Sequence, residues 1–237
     1  MLSQATIIGR NHRLMQQNGQ DGAFTGRSQA ACYFGLVLDG CGSKYRHNGQ
    51  LYHSCNEVGA RLLGHFTAGR LSQQLGQAPL NQTLIQLHAD CLTFLAGLAD
   101  LAVSPDGQSP IANRQLFTYT HLLTTLVGFA LTPSEGAFFW VGDGYLCYNG
   151  EVIQLESYNR PDYLAYGLAA GWQVRLFDPA GVEWLAVATD GWNADLLTQL
   201  SPPRTSLALQ RWLNLQAHQP AQFADDGAVA AFWKAEP

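Results

Sequence analysis

Apolar residues fall into short runs and two long helical stripes. Residues 32–38 (CYFGLVL) form a run too short for a helix; closed by Asp39-Gly40, it reads as a buried strand. From 56 to 75 apolar side chains recur at helical spacing, with Val58, Leu62, Phe66 and Leu71 near one face. A second helix is predicted over 81–103, with Leu84, Leu87, Cys91, Phe94, Leu95 and Leu98 inward. Pro79 precedes it, where proline is tolerated. Residues 104–113, rich in Pro, Gly and Ser, read as a surface loop inside one domain.

Beyond that loop the period changes. Residues 118–131 show no helix period, and 137–141 (AFFWV) end at Gly142-Asp143-Gly144. Runs at 145–148 and 151–155 flank Asn149-Gly150, the signature of a tight hairpin. Further strands are predicted at 172–177, 183–188 and 227–233, and short helices at 195–200 and 206–217, separated by Pro202-Pro203. The order predicts one α+β domain over 1–237, with antiparallel sheets and layered helices.

Composition narrows the function. Hydrophobic residues make up 47% of the 237 positions, which excludes global disorder. Charged residues are 13%, about half the usual share, so Gln, Asn, Ser, Thr and Gly must build much of the surface. Net charge is −5 and no Lys/Arg run occurs, which argues against nucleic acid and against an anionic membrane surface. No apolar stretch approaches about 18 residues, so no spanning helix is expected. Residues 1–10 lack a basic-then-apolar leader pattern. Five scattered cysteines (Cys32, Cys41, Cys55, Cys91, Cys147) without a CxxC pair argue against structural zinc and fit reduced thiols in the cytoplasm.

In a chain so poor in acids, their placement matters. Asp39-Gly40, Asp143-Gly144 and Asp190-Gly191 each close an apolar strand, and Asp225-Asp226 precedes one. An Asp at a strand end can turn its oxygens into a shared cleft, and the glycine after it allows a sharp backbone turn and an accessible carbonyl. Hard divalent cations take such oxygen ligands. One Asp-Gly alone is a common turn dipeptide; the recurrence carries the weight. Neither a GxSxG nor a P-loop motif is present.

The sequence resembles the metal-dependent protein serine/threonine phosphatases of the 2C type, in a bacterial subgroup. Residues 9–24 (GRNHRLMQQNGQDGAF) resemble the first motif of that subgroup, in which His replaces an early Arg and Gln-Asp closes the motif. Residues 34–43 (FGLVLDGCGS) resemble the Asp-Gly motif, 56–62 (NEVGARL) the helix after it, and Thr124-Thr125-Leu126 the threonine strand. Residues 140–145 (WVGDGY), 185–192 (LAVATDGW) and 224–229 (ADDGAV) resemble the Gly-Asp-Ser, Ser-Asp-Gly and terminal Asp-Asp or Asp-Asn motifs.

The resemblance implies a four-layer α-β-β-α sandwich: two antiparallel sheets flanked by helices. It implies two Mn²⁺ or Mg²⁺ ions at one end, bridged by Asp39. Asp190 and Asp225 would ligate one ion, Gly40 would give its carbonyl, and Asp21 would hold metal-bound water. Asp143 matches the position of a weaker third ion. The implied reaction is hydrolysis of phosphoserine or phosphothreonine on a protein by metal-activated bridging water, opposite a Ser/Thr kinase. Asp39, Asp190 and Asp225 would be catalytic.

The pattern also departs from the family. Gln16 stands where many members carry Arg, leaving His12 or Arg13 to bind phosphate. Gln20 replaces a glutamate, and Cys41 stands where some members place a proton-donating His. His47 and His53 follow in the next loop as other donors or as solvated residues. Ala194 takes the place of a second acid after Asp190, with Asp195 one further on. Trp140, Trp172, Trp184 and Trp192 read as core or cleft wall, with Trp192 able to line a substrate groove. Residues 156–171 occupy the position of a substrate-selecting flap. Two alternatives stay open: a catalytically weak or inactive 2C-like domain that binds a phosphoprotein or other regulator, and a phosphatase for small phosphoesters.

Overall fold

Two five-stranded antiparallel sheets press face to face, with helices on both outer sides. This structure, a computed structural model, describes all residues but 29–30, 44, 48, 103–109, 159, 169–170, 220–221 and 235–237, and only the backbone of 47 and 110–112. One sheet runs β1 (Leu2–Ile7), β12 (Gly227–Trp233), β11 (Trp184–Ala188), β8 (Gly144–Tyr148), β9 (Glu151–Leu155). The other runs β10 (Gln173–Phe177), β7 (Gly136–Val141), β6 (Leu126–Leu131), β3 (Tyr33–Leu38), β2 (Gly22–Arg27). A small ribbon, β4 (Arg46–His47) and β5 (Gln50–Leu51), stands apart.

Central strands are buried on both faces, which is why their sequences do not alternate. On β3, Phe34, Leu36 and Leu38 face the helices α2 (Asn56–Gln74) and α3 (Leu80–Leu101), while Val37 joins the core between the sheets. On β12, Ala228, Ala230 and Phe232 face the other sheet. Val229, Ala231 and Trp233 face α5 (Ala194–Thr198) and α6 (Ser206–Gln216). The architecture is the α-β-β-α sandwich, with α4 (Pro110–His121) packed on α2 and α3. The hairpin is as expected: Asn149 and Gly150 both have positive φ, 50° and 93°, as its tight turn requires.

Three expectations need correction. The inner face of α2 is Gly59, Ala60, Leu63, Gly64, Thr67 and Leu71, whereas Val58 and Leu62 are exposed. Small residues carry little hydrophobic signal, yet they let the helix approach: a Cβ at Gly64 would lie 2.1 Å from the Phe24 ring. Part of the stretch read as strand, 118–121, is instead the end of α4, which begins inside the predicted loop; the rest of that loop, 104–109, lies outside the described residues. Finally, α3 is long and apolar enough to cross a membrane by length and composition. Its stripe of Leu80, Leu84, Leu87, Cys91 and Leu95 lies in the helix–sheet core.

Candidate metal centre

Strand register brings the acids together. Gly22 pairs with Leu38 in the antiparallel β2–β3 ladder, so Asp21 and Asp39, one step beyond, lie side by side. Leu126 pairs with Val141, and the Thr125 N–H donates to the Asp39 carbonyl at 3.0 Å, which puts the end of β7 and hence Asp143 on the same side. In the facing sheet Ala188 pairs with Val229, so Asp190 leaves β11 beside the residues that enter β12, Asp225 and Asp226. The Gly40 N–H donates to the Gln20 carbonyl at 3.2 Å, tying the two loops of the first sheet together.

Close backbone approach completes the cluster. A Cβ at Gly191 would sit 1.7 Å from the Asp226 carbonyl oxygen, and one at Gly9 would sit 2.2 Å from the Asp225 carbonyl carbon. Only glycine lets these segments touch. Thr189 spans the sheets: its Oγ1 donates to Asp21 Oδ2 at 2.5 Å and accepts from the Ala228 N–H at 2.9 Å.

The electrostatics follow from crowding. Burial pushes the Asp39 carboxyl up to about 7; Asp190 adds to this, as do Asp225 and Asp143, against the lowering effect of a hydrogen bond from Asp21. Burial, and then the charge of Asp39, hold Asp21 well above the usual carboxylate range, opposed by the Thr189 hydroxyl. Such a donor set, all oxygen and mutually repelling, fits hard divalent cations, whose charge would offset the repulsion. Asp143 and Asp190 also line an open 440 Å³ pocket with Glu156, Ser157 and Tyr158. The Ser157 hydroxyl donates to Asp143 at 2.5 Å.

Asp21, Asp39, Asp143, Asp190 and Asp225 thus share one neighbourhood, with the Gly40 backbone beside them. His12 also lies there, held by Asp226 at 2.9 Å, while Arg13 is exposed on the short helix α1 (Arg10–Met15). Cys41 is buried, its thiol donating to the Gly42 carbonyl at 3.3 Å. His53 is exposed; the side chain of His47 lies outside the described residues. Trp192 packs with Trp212 and Phe223 in the α5–α6 core, not in a groove. Within 156–171, Tyr163 and Leu164 are buried and anchor the segment, while Tyr158 is exposed.

The roles of two residues escaped the sequence reading, although Asp226 was singled out as half of the Asp225-Asp226 pair. Asp226 is buried and accepts three hydrogen bonds, from the Gly9 and Gln20 N–H groups, each at 2.6 Å, and from His12. Thr189 is the other. The available signals were a doubled acid before a strand and a hydroxyl closing an otherwise apolar strand.

The sequence pattern of the family described as Protein phosphatase 2C matches residues 8–224, and the chain belongs to that family. None of the curated proteins matches it. Among solved structures it is similar to a bacterial serine phosphatase, with a TM-score of 0.64 at 12% identity over 100% of this chain and 98% of that one. It is also similar to the serine/threonine phosphatase Stp1 from Staphylococcus aureus, with a TM-score of 0.63 at 13% identity over 99% and 95%. The Mycobacterium tuberculosis serine/threonine phosphatase PstP/Ppp gives a TM-score of 0.61 at 14% identity over 99% of both chains.

Proposed function

We propose that this chain is a metal-dependent phosphoprotein phosphatase, a single catalytic domain that removes phosphate from Ser or Thr. The observation that carries the reading is the convergence of Asp21, Asp190, Asp225 and Asp143 on Asp39, at the end of the sandwich where strands of both sheets stop. Asp39 would bridge two Mn²⁺ or Mg²⁺ ions; Asp190 and Asp225 would hold one of them, with the Gly40 carbonyl and Asp21 completing the set. Asp143 would serve a weaker third ion. When bound, such ions supply a water-derived nucleophile at neutral pH and offset charge on the phosphoryl oxygens.

The chain's own residues do the positioning. Thr189 fixes the Asp21 carboxyl, and the Thr125 N–H fixes the Asp39 backbone. The substrate would be a phosphoprotein that a Ser/Thr kinase produces. All five cysteines are free thiols, which supports a reducing, cytoplasmic setting.

Purified protein with Mn²⁺ is expected to hydrolyse p-nitrophenyl phosphate and a phosphothreonine peptide. Asp39→Asn and Asp190→Asn are each expected to abolish this turnover. No metal-dependent turnover on either ester would replace this reading with that of a 2C-like binding domain. Turnover confined to the small ester would favour a small-molecule phosphatase.

A further inference from the structure

We propose that the chain forms a two-fold dimer through one open seam of its sandwich, with β10 of each copy pairing antiparallel with β9 of the other. The inference rests on strand edges and charges and does not depend on the phosphatase reading.

β9 ends one sheet and β10 ends the other. They meet at the same seam, where a 210 Å³ pocket opens between them. Each turns half of its main-chain N–H and C=O groups to an edge with no strand beside it. Proteins usually cover such an edge or blunt it with charge or proline. β10 has no proline, and Arg175 is its one charge. Its Val174 and Leu176 pair with Phe139 and Ala137, which face the helices, yet they keep 37% and 58% of their surface. The helix layer therefore stops short of this strand, and both its edge and its outer face are bare.

The charges select the occupant. Arg175 lies opposite Phe138 in the β10–β7 ladder, and Glu151 opposite Tyr148 in the β8–β9 ladder. Phe138 and Tyr148 belong to the core between the sheets, so both charged side chains leave on the seam side. Both line the one pocket, over Phe138, Ile153 and Phe177, and so stand at the same height along the strands. Neither forms an ion pair among the described residues. An occupant of this seam thus needs an acid for Arg175, a base for Glu151 and a free strand for each edge. A second copy of the chain offers all three.

Strand direction agrees. β7 and β9 run toward the metal centre, while β8 and β10 run away from it. A two-fold axis along the seam, parallel to the strands, keeps height and direction and exchanges the two sides. It sets β10 antiparallel to the partner subunit's β9, with Arg175 level with the partner's Glu151. The same contacts recur in reverse, as an isologous interface requires. Val174 and Leu176 gain the partner's Val152 on the helix side of the joined sheet. β9 and β10 also carry the two ends of residues 156–171, so the interface would hold that segment at both ends.

Light scattering over a dilution series tests this on the purified full chain. The wild type is expected to run as a dimer that dissociates on dilution. Arg175→Glu and Glu151→Arg each set like charges against one another twice, and each should weaken the dimer at least about tenfold. Combining the two substitutions restores opposite charges and should restore the dimer. A wild type that stays monomeric would overturn the proposal and leave the edge to an extended segment of another protein. A dimer indifferent to both single changes, or one not rescued by the combination, would overturn it as well. Hydrogen exchange of the unaltered protein reads the same interface without any variant. Protection of 151–155 and 173–177 is expected to rise with protein concentration; a dimer that protects other strands instead would place the contact elsewhere and sink the proposal.

Discussion

A missing methyl group decides whether the two halves of the site meet. At Gly191 a Cβ would fall 1.7 Å from the Asp226 carbonyl oxygen, a backbone atom that cannot swing aside. Gly191→Ala must therefore part the segment carrying Asp190 from the segment carrying Asp225. Urea unfolding is expected to show a loss of about 1–3 kcal/mol, the usual cost of overpacking. Mn²⁺ affinity, followed by calorimetry, is expected to fall far more than stability does. Unchanged metal uptake in a destabilised Gly191→Ala would show that the two segments do not need contact. The acids themselves were legible as residues, because Asp-Gly closing an apolar strand is a pattern on paper. Thr189 was not, and Asp226 was legible only as half of a doubled acid, since the role of each lies in hydrogen bonds to segments far away in sequence.

Elements are held at the site by a few buried polar side chains. Asn56 opens α2 and is fully buried. Its Nδ2 donates to the Cys41 carbonyl at 2.7 Å, and its Oδ1 accepts the Leu123 N–H at 3.1 Å. It thereby joins the turn after Asp39-Gly40 to the turn between α4 and β6. Asn56→Ala strands the Leu123 N–H in the interior and leaves the Cys41 carbonyl with the Ser54 hydroxyl at 3.2 Å; a stranded buried group costs about 1–3 kcal/mol. The expected outcome is a drop in unfolding free energy of about that size, together with weaker metal binding; stability equal to wild type would mean water replaces the side chain. Elements with a clear apolar stripe, such as α3 and β12, were predicted to within a few residues. The 12-residue α4 was hidden because its Thr and Tyr content suggests strand, while its packing on α2 and α3 decides for helix. The N-terminal half of the α2 face was misjudged for a related reason: beside Leu63 its contact surface is made by Gly59, Ala60 and Gly64, which a hydrophobic period cannot see, whereas Leu71 is buried as expected.

At the scale of the whole molecule, the carboxylate cluster couples folding to pH and to metal. Asp39 is raised to about 7 and Asp21 is raised well above the usual range. Both values exceed those of the unfolded chain, near 4. Without metal, the folded protein therefore binds more protons than the unfolded chain across that interval. The stability these groups contribute is fully present below about pH 4 and is lost as pH rises through about 7. A divalent cation reverses the trend, because it binds the ionised carboxylates and displaces their protons. Melting curves of metal-free protein should therefore show Tm falling between pH 5 and 8 by several degrees, since about 1 kcal/mol moves Tm roughly 2–4 °C in a domain of this size. Asp39→Asn removes one of the two titrating groups and should flatten that slope. Saturating Mn²⁺ should raise the wild-type Tm more at pH 8 than at pH 6, and should barely move the variant. Parallel pH slopes for wild type and Asp39→Asn would mean that Asp39 is already ionised in the folded protein at acidic pH. The repulsion that here makes a cation welcome would then have to be relieved by some other group.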